Sequence, residues 1–122
     1  MSEQFFRHRP ITQIPKPCGY ELIFAQTDRY VGKILHINRG ESLSLQYHEM
    51  KEETLYVVDG ELRLTIEHDG DRRELPLRKG EAFHIPPRLI HRMLAVVDTD
   101  VAEVSTTELD DVVRLEDRYG RV

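Results

Sequence analysis

Residues 40–60 read G-E-S-L-S-L-Q-Y-H-E-M-K-E-E-T-L-Y-V-V-D-G, and their spacing decides how the rest of the chain is read. Gln46 and His48 stand two apart in an alternating run, so on a β-strand their side chains share one face. Glu53 follows five residues after His48 and opens a second strand-like run, Glu53-Thr54-Leu55-Tyr56-Val57-Val58. A later block, G-E-A-F-H-I-P-P-R-L-I-H over residues 80–91, ends on His91. Two imidazoles, one carboxylate and one amide oxygen thus come from three strand segments. Such a set suits a divalent cation that keeps open coordination positions.

Working outward, the same alternation recurs. Tyr20–Ala25, Tyr30–Ile37, Ser42–His48, Glu53–Val58, Glu61–Glu67, Arg73–Leu77, Ala82–Ile85, His91–Val97 and Val101–Thr106 all carry β-branched, aromatic or alternating apolar residues. Turn dipeptides separate them: Arg39-Gly40, Asp59-Gly60, Asp69-Gly70, Lys79-Gly80 and Pro86-Pro87. Short strands at this regular spacing predict an all-β sandwich or barrel. Pro10, Pro15 and Pro17 forbid a regular helix near the start, so residues 1–19 are expected to form an extended arm and residues 20–122 a single barrel domain. The tail from Asp110 is expected to form one short helical turn.

Parity predicts what faces inward. With Ser44, Gln46 and His48 turned to the interior, Leu43, Leu45 and Tyr47 project outward and need a cover. Tyr20, Leu22 and Phe24 form another alternating apolar face. A 122-residue barrel does not bury both faces of every sheet, so a homodimer is expected. Leu62, Leu64 and Ile66 are expected below the ligand cluster, with Arg63, Thr65 and Glu67 in water.

Composition narrows the function classes. A content of 39% hydrophobic and 32% charged residues fits a soluble globular domain. The formal charge of -5 supplies no basic field for nucleic acid or an anionic membrane, so neither partner is expected. No apolar run is long enough to span a bilayer, and Met1–Pro10 lacks a signal-peptide core. The single cysteine, Cys18, excludes an internal disulfide and fits a reducing compartment, so a cytoplasmic location is expected.

The two blocks resemble the two cupin motifs. Gly40, His48, Glu53 and Gly60 fall in register with the first, with Gln46 where its first histidine normally stands. Gly80, Pro86 and His91 match the second, while Arg88 replaces its glycine and Ala95 its closing asparagine. The L-S-L-Q-x-H run and the tail V-R-L-E-D-R-Y-G-R, residues 113–121, are similar to the C-terminal cupin domain of type II mannose-6-phosphate isomerases. The resemblance runs from about Pro17 to the end. It implies a double-stranded β-helix, or jelly roll, and a metal held by Gln46, His48, Glu53 and His91. A mixed nitrogen and oxygen donor set favours Zn²⁺, Mn²⁺, Fe²⁺, Co²⁺ or Ni²⁺ without separating them; the implied isomerase makes Zn²⁺ the first choice, because it polarises a carbonyl without redox chemistry. Gln46 either ligates directly or hydrogen-bonds a metal-bound water. Glu52 competes with Glu53 for the carboxylate role, and parity favours Glu53.

Three functions fit these residues. The resemblance implies a sugar-phosphate isomerase, interconverting an aldose and a ketose with a cation at the developing oxyanion and a nearby base. Candidates for the base are Glu52, His84 and Lys33. Lys33 matches a lysine of the isomerases, although edge strands also use lysine to discourage pairing. Arg118 is a candidate phosphate anchor, and Arg114 and Arg121 either join it or latch the tail to the barrel by pairing with nearby acids. His8, His36 and His68 lie outside any motif. The bifunctional relatives carry a further nucleotidyltransferase domain that these residues do not form, so GDP-mannose synthesis is not expected of this chain. Two histidines and a carboxylate also form the triad of non-haem oxygenases. A cupin that binds or senses a sugar without turning it over is the third possibility.

Overall fold

The alternating runs fold as strands throughout the computed structural model, which describes residues 11–122. In chain order the strands are β1 (Thr12–Lys16), β2 (Gly19–Gln26), β3 (Val31–Ile37), β4 (Leu45–Tyr47), β5 (Glu53–Asp59), β6 (Glu61–His68), β7 (Asp71–Arg78), β8 (Ala82–Ile85), β9 (Ile90–Ala95), β10 (Thr99–Ser105) and β11 (Val113–Glu116). They form a six-stranded sheet, β1-β2-β3-β10-β5-β8, and a five-stranded sheet, β11-β4-β9-β6-β7. All strand pairs are antiparallel. The two sheets face one another as a jelly roll, as expected from the sequence. No helix among the described residues is long and apolar enough to cross a membrane.

Along each inner face the side chains change from apolar to polar. In the first sheet, Ile37, Leu35, Val101, Val57 and Leu55 belong to the core, whereas Glu53, Glu103 and Ser105 are buried further along β5 and β10, and Glu21 is buried on the neighbouring β2. In the second sheet Leu62 pairs with Ala95 and Leu64 with Met93, and the next pair on that face is Ile66 with His91. The barrel therefore has a closed hydrophobic floor and a charged upper layer. Fully burying one Leu or Ile side chain contributes about 1.5–3 kcal/mol, so the floor stabilises the fold while the polar layer opposes it. At the floor, Gly60 brings the β5–β6 turn against Asp98 and Thr99: a Cβ there would lie 2.4 Å from Thr99 Oγ1, and its φ of 97° is one that L side chains rarely adopt.

Several expectations are revised. Alternation does not hold through Ser42–His48, because only Leu45–Tyr47 is a strand, with an isolated bridge from Ser42 to Leu94. The break in pleat turns Leu43 onto the core, and Leu45 is only 2% exposed, so neither is an outer-face residue awaiting a partner. Thr65 is buried rather than in water, flanked across the ladders by Glu74 and Arg92. The tail forms β11 instead of a helical turn, because Val113 and Arg114 complete the ladder along β4. Thr12–Lys16 of the expected arm is an edge strand on β2, where Pro15 is tolerated opposite Tyr20. Residues 1–10 of that arm, with His8 and Pro10, lie outside the described residues.

Candidate functional site

Three buried side chains converge in the polar layer. His48 comes from the end of β4, Glu53 from the start of β5 and His91 from β9, and each offers a ligand atom within 4.8 Å of the others. Glu53 Oε1 lies 3.4 Å from His48 Nε2 and 3.3 Å from His91 Nε2. The other ring nitrogens are already engaged. His48 Nδ1 donates to the Asp111 carbonyl at 2.6 Å, and His91 Nδ1 to the Leu89 carbonyl at 2.9 Å. These bonds fix the tautomer and leave both Nε2 lone pairs pointing at the carboxylate. Neither Nε2 has a hydrogen-bond partner in a region where an unmet polar atom is costly. Orphaned lone pairs beside a buried carboxylate are what a divalent cation would satisfy. The residues present fit a metal ion.

Gln46 sits beside this group, in register with His91 on one side and Arg114 on the other. Its Oε1 accepts a hydrogen bond from Ser44 Oγ at 2.5 Å, which orients the amide. Gln46 and His48 line a cavity of about 300 Å³ together with Lys33, Lys51, Glu103 and Arg114.

The cavity wall carries a ladder of alternating charges across the first sheet. Lys51 Nζ is 3.2 Å from Glu53 Oε2 and 3.6 Å from Glu103 Oε2. Glu103 meets Lys33 at 3.2 Å, Lys33 meets Glu21 at 3.0 Å, and Glu21 meets Lys16 at 3.2 Å. From Lys16 to Glu53 the order follows the strand order β1, β2, β3, β10, β5, with Lys33 directly opposite Glu103 in the ladder. Burial pushes the Glu53 carboxyl up, and the Lys51 ammonium beside it opposes that. Burial raises Glu103 as well, and the charge of Glu53 adds to it against Lys33 and Lys51; the carboxyl is pushed up to about 7. For Lys33, burial works downward, yet Glu103 and Glu21 prevail and raise it to about 12. Lys33 is therefore a hydrogen-bond donor at neutral pH.

The other residues singled out from the sequence are dispersed. Glu52 and His84 point to the outer face, because Glu53 and Ile85 point inward beside them, and they pair with each other at 2.5 Å in solvent. Neither lines the cavity. Arg118 is also outside it, donating to the Gly40 carbonyl at 2.8 Å; Arg121 does line the cavity, but its guanidinium is held by Asp117 at 2.7 Å. Tyr119 adds a hydrogen bond from its hydroxyl to Glu41, so this end of the chain is latched to the β3–β4 connection. Arg114 differs: its Nε is buried without a partner, and it faces the cavity.

Sequence reasoning missed Glu21, Lys51, Glu103 and Asp111. The Asp111 carboxylate accepts three backbone N–H bonds, from Glu49, Met50 and Lys51 at 2.7–3.0 Å, while its carbonyl holds His48. The parity of Val101-Glu103-Ser105 is the signal that could have found Glu103, since all three are buried on one face; nothing local marked Lys51 or Asp111. Arg88 adopts φ 70°, the left-handed conformation that explains the glycine usual there, and its N–H donates to the His48 carbonyl at 2.7 Å.

Comparisons with known proteins agree with this geometry. The Cupin_2 family, described as a cupin domain, matches residues 33–107. Mannose-1-phosphate guanylyltransferase of Escherichia coli (strain K12) is 39% identical over 121 residues, covering 94% of this chain and 24% of that protein. A 3-hydroxyanthranilate 3,4-dioxygenase of Xanthomonas oryzae pv. oryzae is 36% identical over 61 residues, 49% of this chain and 35% of that protein. The chain thus spans about a quarter of the guanylyltransferase and about a third of the dioxygenase. Among solved structures, the capsular polysaccharide assembling protein CapF from Staphylococcus aureus superposes with a TM-score of 0.75 at 22% identity, over 89% of this chain and 35% of that one. A family match over most of the barrel, carried by a jelly roll with both motif histidines and the motif glutamate drawn together, makes this chain a member of the cupin family.

Proposed function

We propose that the chain is a metal-dependent sugar-phosphate isomerase domain of the mannose-6-phosphate isomerase type. The observation that carries this is the buried His48–Glu53–His91 cluster, with two bare Nε2 atoms, beside a cavity that also presents Lys33 and Arg114. His48, Glu53 and His91 would hold the ion, with Gln46 as an additional oxygen donor. A bound divalent cation, Zn²⁺ in the first instance, supplies positive charge for an oxygen that becomes anionic during proton transfer between adjacent carbons. Lys33 would donate a hydrogen bond to a ligand oxygen. Arg114, whose Nε has no partner, would take the phosphate, since a guanidinium fork matches phosphate oxygens. A base must face the ligand. Of Glu52, His84 and Lys33, only Lys33 lines the cavity, and it is protonated; Glu103, next to it in the ladder, is the carboxylate linked to the cluster through Lys51. The similarity to a mannose-1-phosphate guanylyltransferase over nearly the whole chain supports a sugar-phosphate ligand.

The test is interconversion of mannose 6-phosphate and fructose 6-phosphate under strict anaerobiosis by metal-loaded protein. Turnover without oxygen supports the isomerase. A second function, a non-haem oxygenase, is favoured by the same two-histidine, one-carboxylate set and by the dioxygenase similarity; it requires oxygen uptake coupled to substrate loss. If a broad panel gives neither, and one sugar still raises the melting temperature, the domain binds without turnover.

The protein is further proposed to work in the cytoplasm as a homodimer. Leu22, Ile34, Ala102 and Tyr56 form one row across the outer face of the first sheet, with Phe24 and Val104 also exposed on β2 and β10. A second copy of this face is the occupant of matching chemistry, because an apolar patch is self-complementary across a two-fold axis.

A further inference from the structure

The two oxygens of Glu53 have different surroundings. Oε1 faces His48 Nε2 and His91 Nε2, whereas Oε2 faces Lys51 Nζ at 3.2 Å. Lys51 is 4% exposed and stands on a fixed backbone, its own N–H bonded to Asp111 Oδ2 at 2.9 Å. The ammonium also meets Glu103 Oε2 at 3.6 Å, so it is held from a second side. A buried ammonium this close to a cation site repels the cation and weakens its binding. Tight metal capture is therefore not what Lys51 contributes.

We infer that Lys51 is a positioning residue that holds Glu53 to one-oxygen coordination and so keeps a position on the metal open for a ligand. This rests on the metal reading above. Carboxylates bind divalent cations through one oxygen or through both, and the difference is whether the second oxygen has a better partner. Here Oε2 makes no hydrogen bond but stands in an ion pair with Lys51, and chelation would draw it away from that charge. Groups that contact a metal ligand from behind commonly set its geometry in this way. Without the ammonium, Oε2 is free to turn onto the ion and displace a water.

Manganese is the probe, because its bound waters are read by water-proton relaxation. An octahedral ion held by three or four protein atoms keeps two or three waters, so losing one lowers the relaxation enhancement per bound ion by roughly a third to a half. Lys51→Met and Lys51→Gln are expected to show that drop at full occupancy, with Lys51→Arg retaining the wild-type value. Unchanged enhancement in the uncharged variants, or an equal drop in Lys51→Arg, would overturn the inference. A second measurement needs no variant. Infrared difference spectra of the wild-type protein, loaded minus metal-free, are expected to show the wide carboxylate splitting of one-oxygen binding; the narrow splitting of a chelating carboxylate would refute it even if both uncharged variants fail to fold. Wild-type protein that takes up no manganese, zinc or cobalt would refute the metal reading itself, which is a distinguishable result.

Discussion

Replacing His48 and His91 together by alanine should abolish metal-dependent stabilisation while leaving the barrel intact. A ligand that binds only the folded state adds about 2.7 kcal/mol at a hundredfold excess over its dissociation constant. Unfolding entropy of about 2.1 cal/mol/K per residue over 122 residues amounts to about 0.26 kcal/mol/K. Zinc or manganese at that excess should then raise the wild-type melting temperature by about 10 °C. In the double variant only Glu53 and Gln46 remain, and the shift should fall to about 1 °C or less, with no stoichiometric metal by elemental analysis and unchanged β-type circular dichroism. Both histidines are buried, at 3% and 1% exposure, so a baseline loss of stability is expected in the metal-free variant and has to be subtracted. The reasoning is refuted if the double variant keeps full metal occupancy, or if its melting temperature responds to metal as the wild type does.

Other consequences follow from the charge ladder and the outer sheet face. Lys33→Met should cost about 3 kcal/mol, measured by urea unfolding at pH 7, since it leaves Glu21 and Glu103 buried without their shared cation. The pH dependence has a definite sign. The Lys33 pKa is raised from 10.5 to about 12 on folding, so its contribution of about 2 kcal/mol is complete below pH 10.5 and is lost as pH climbs through 12. Unfolding curves across that interval should flatten in Lys33→Met, and equal slopes in both proteins would contradict the ladder. Val104→Glu, at a position 55% exposed, should convert a dimer into a species near 14.3 kDa by light scattering with the metal site still occupied; a wild-type mass near 14.3 kDa would reject the dimer.

Much of the fold and the centre of the site were legible in the sequence, because a β-strand converts a period of two directly into a face. Eight of the nine strand-like runs became strands within a few residues of their expected ends, and the spacing of His48, Glu53 and His91 already placed them together. The same rule did not pick out Glu103, and the candidate bases Glu52 and His84 lie on the outer face, paired with each other. Where the backbone leaves the regular pleat, it gave the wrong side: between Ser42 and Leu45 an irregular stretch turns Leu43 onto the core and buries Leu45.

What only the tertiary structure decided are contacts between segments far apart in the chain. Asp111 reaches back some sixty residues to fix His48 and the loop carrying Lys51, and nothing near Asp111 in sequence signals that role. The ladder from Glu53 to Lys16 joins side chains of five neighbouring strands, with Lys51 reaching in from the β4–β5 loop, so its alternation of charge exists only once the sheet is assembled. Likewise Arg114 faces the cavity because β11 pairs with β4 in one register, while Arg118, beyond the end of β11, turns to the Gly40 carbonyl. Local alternation specifies which way a side chain points from its own strand; which charges then meet depends on strand order and register, and those are set by packing the whole barrel.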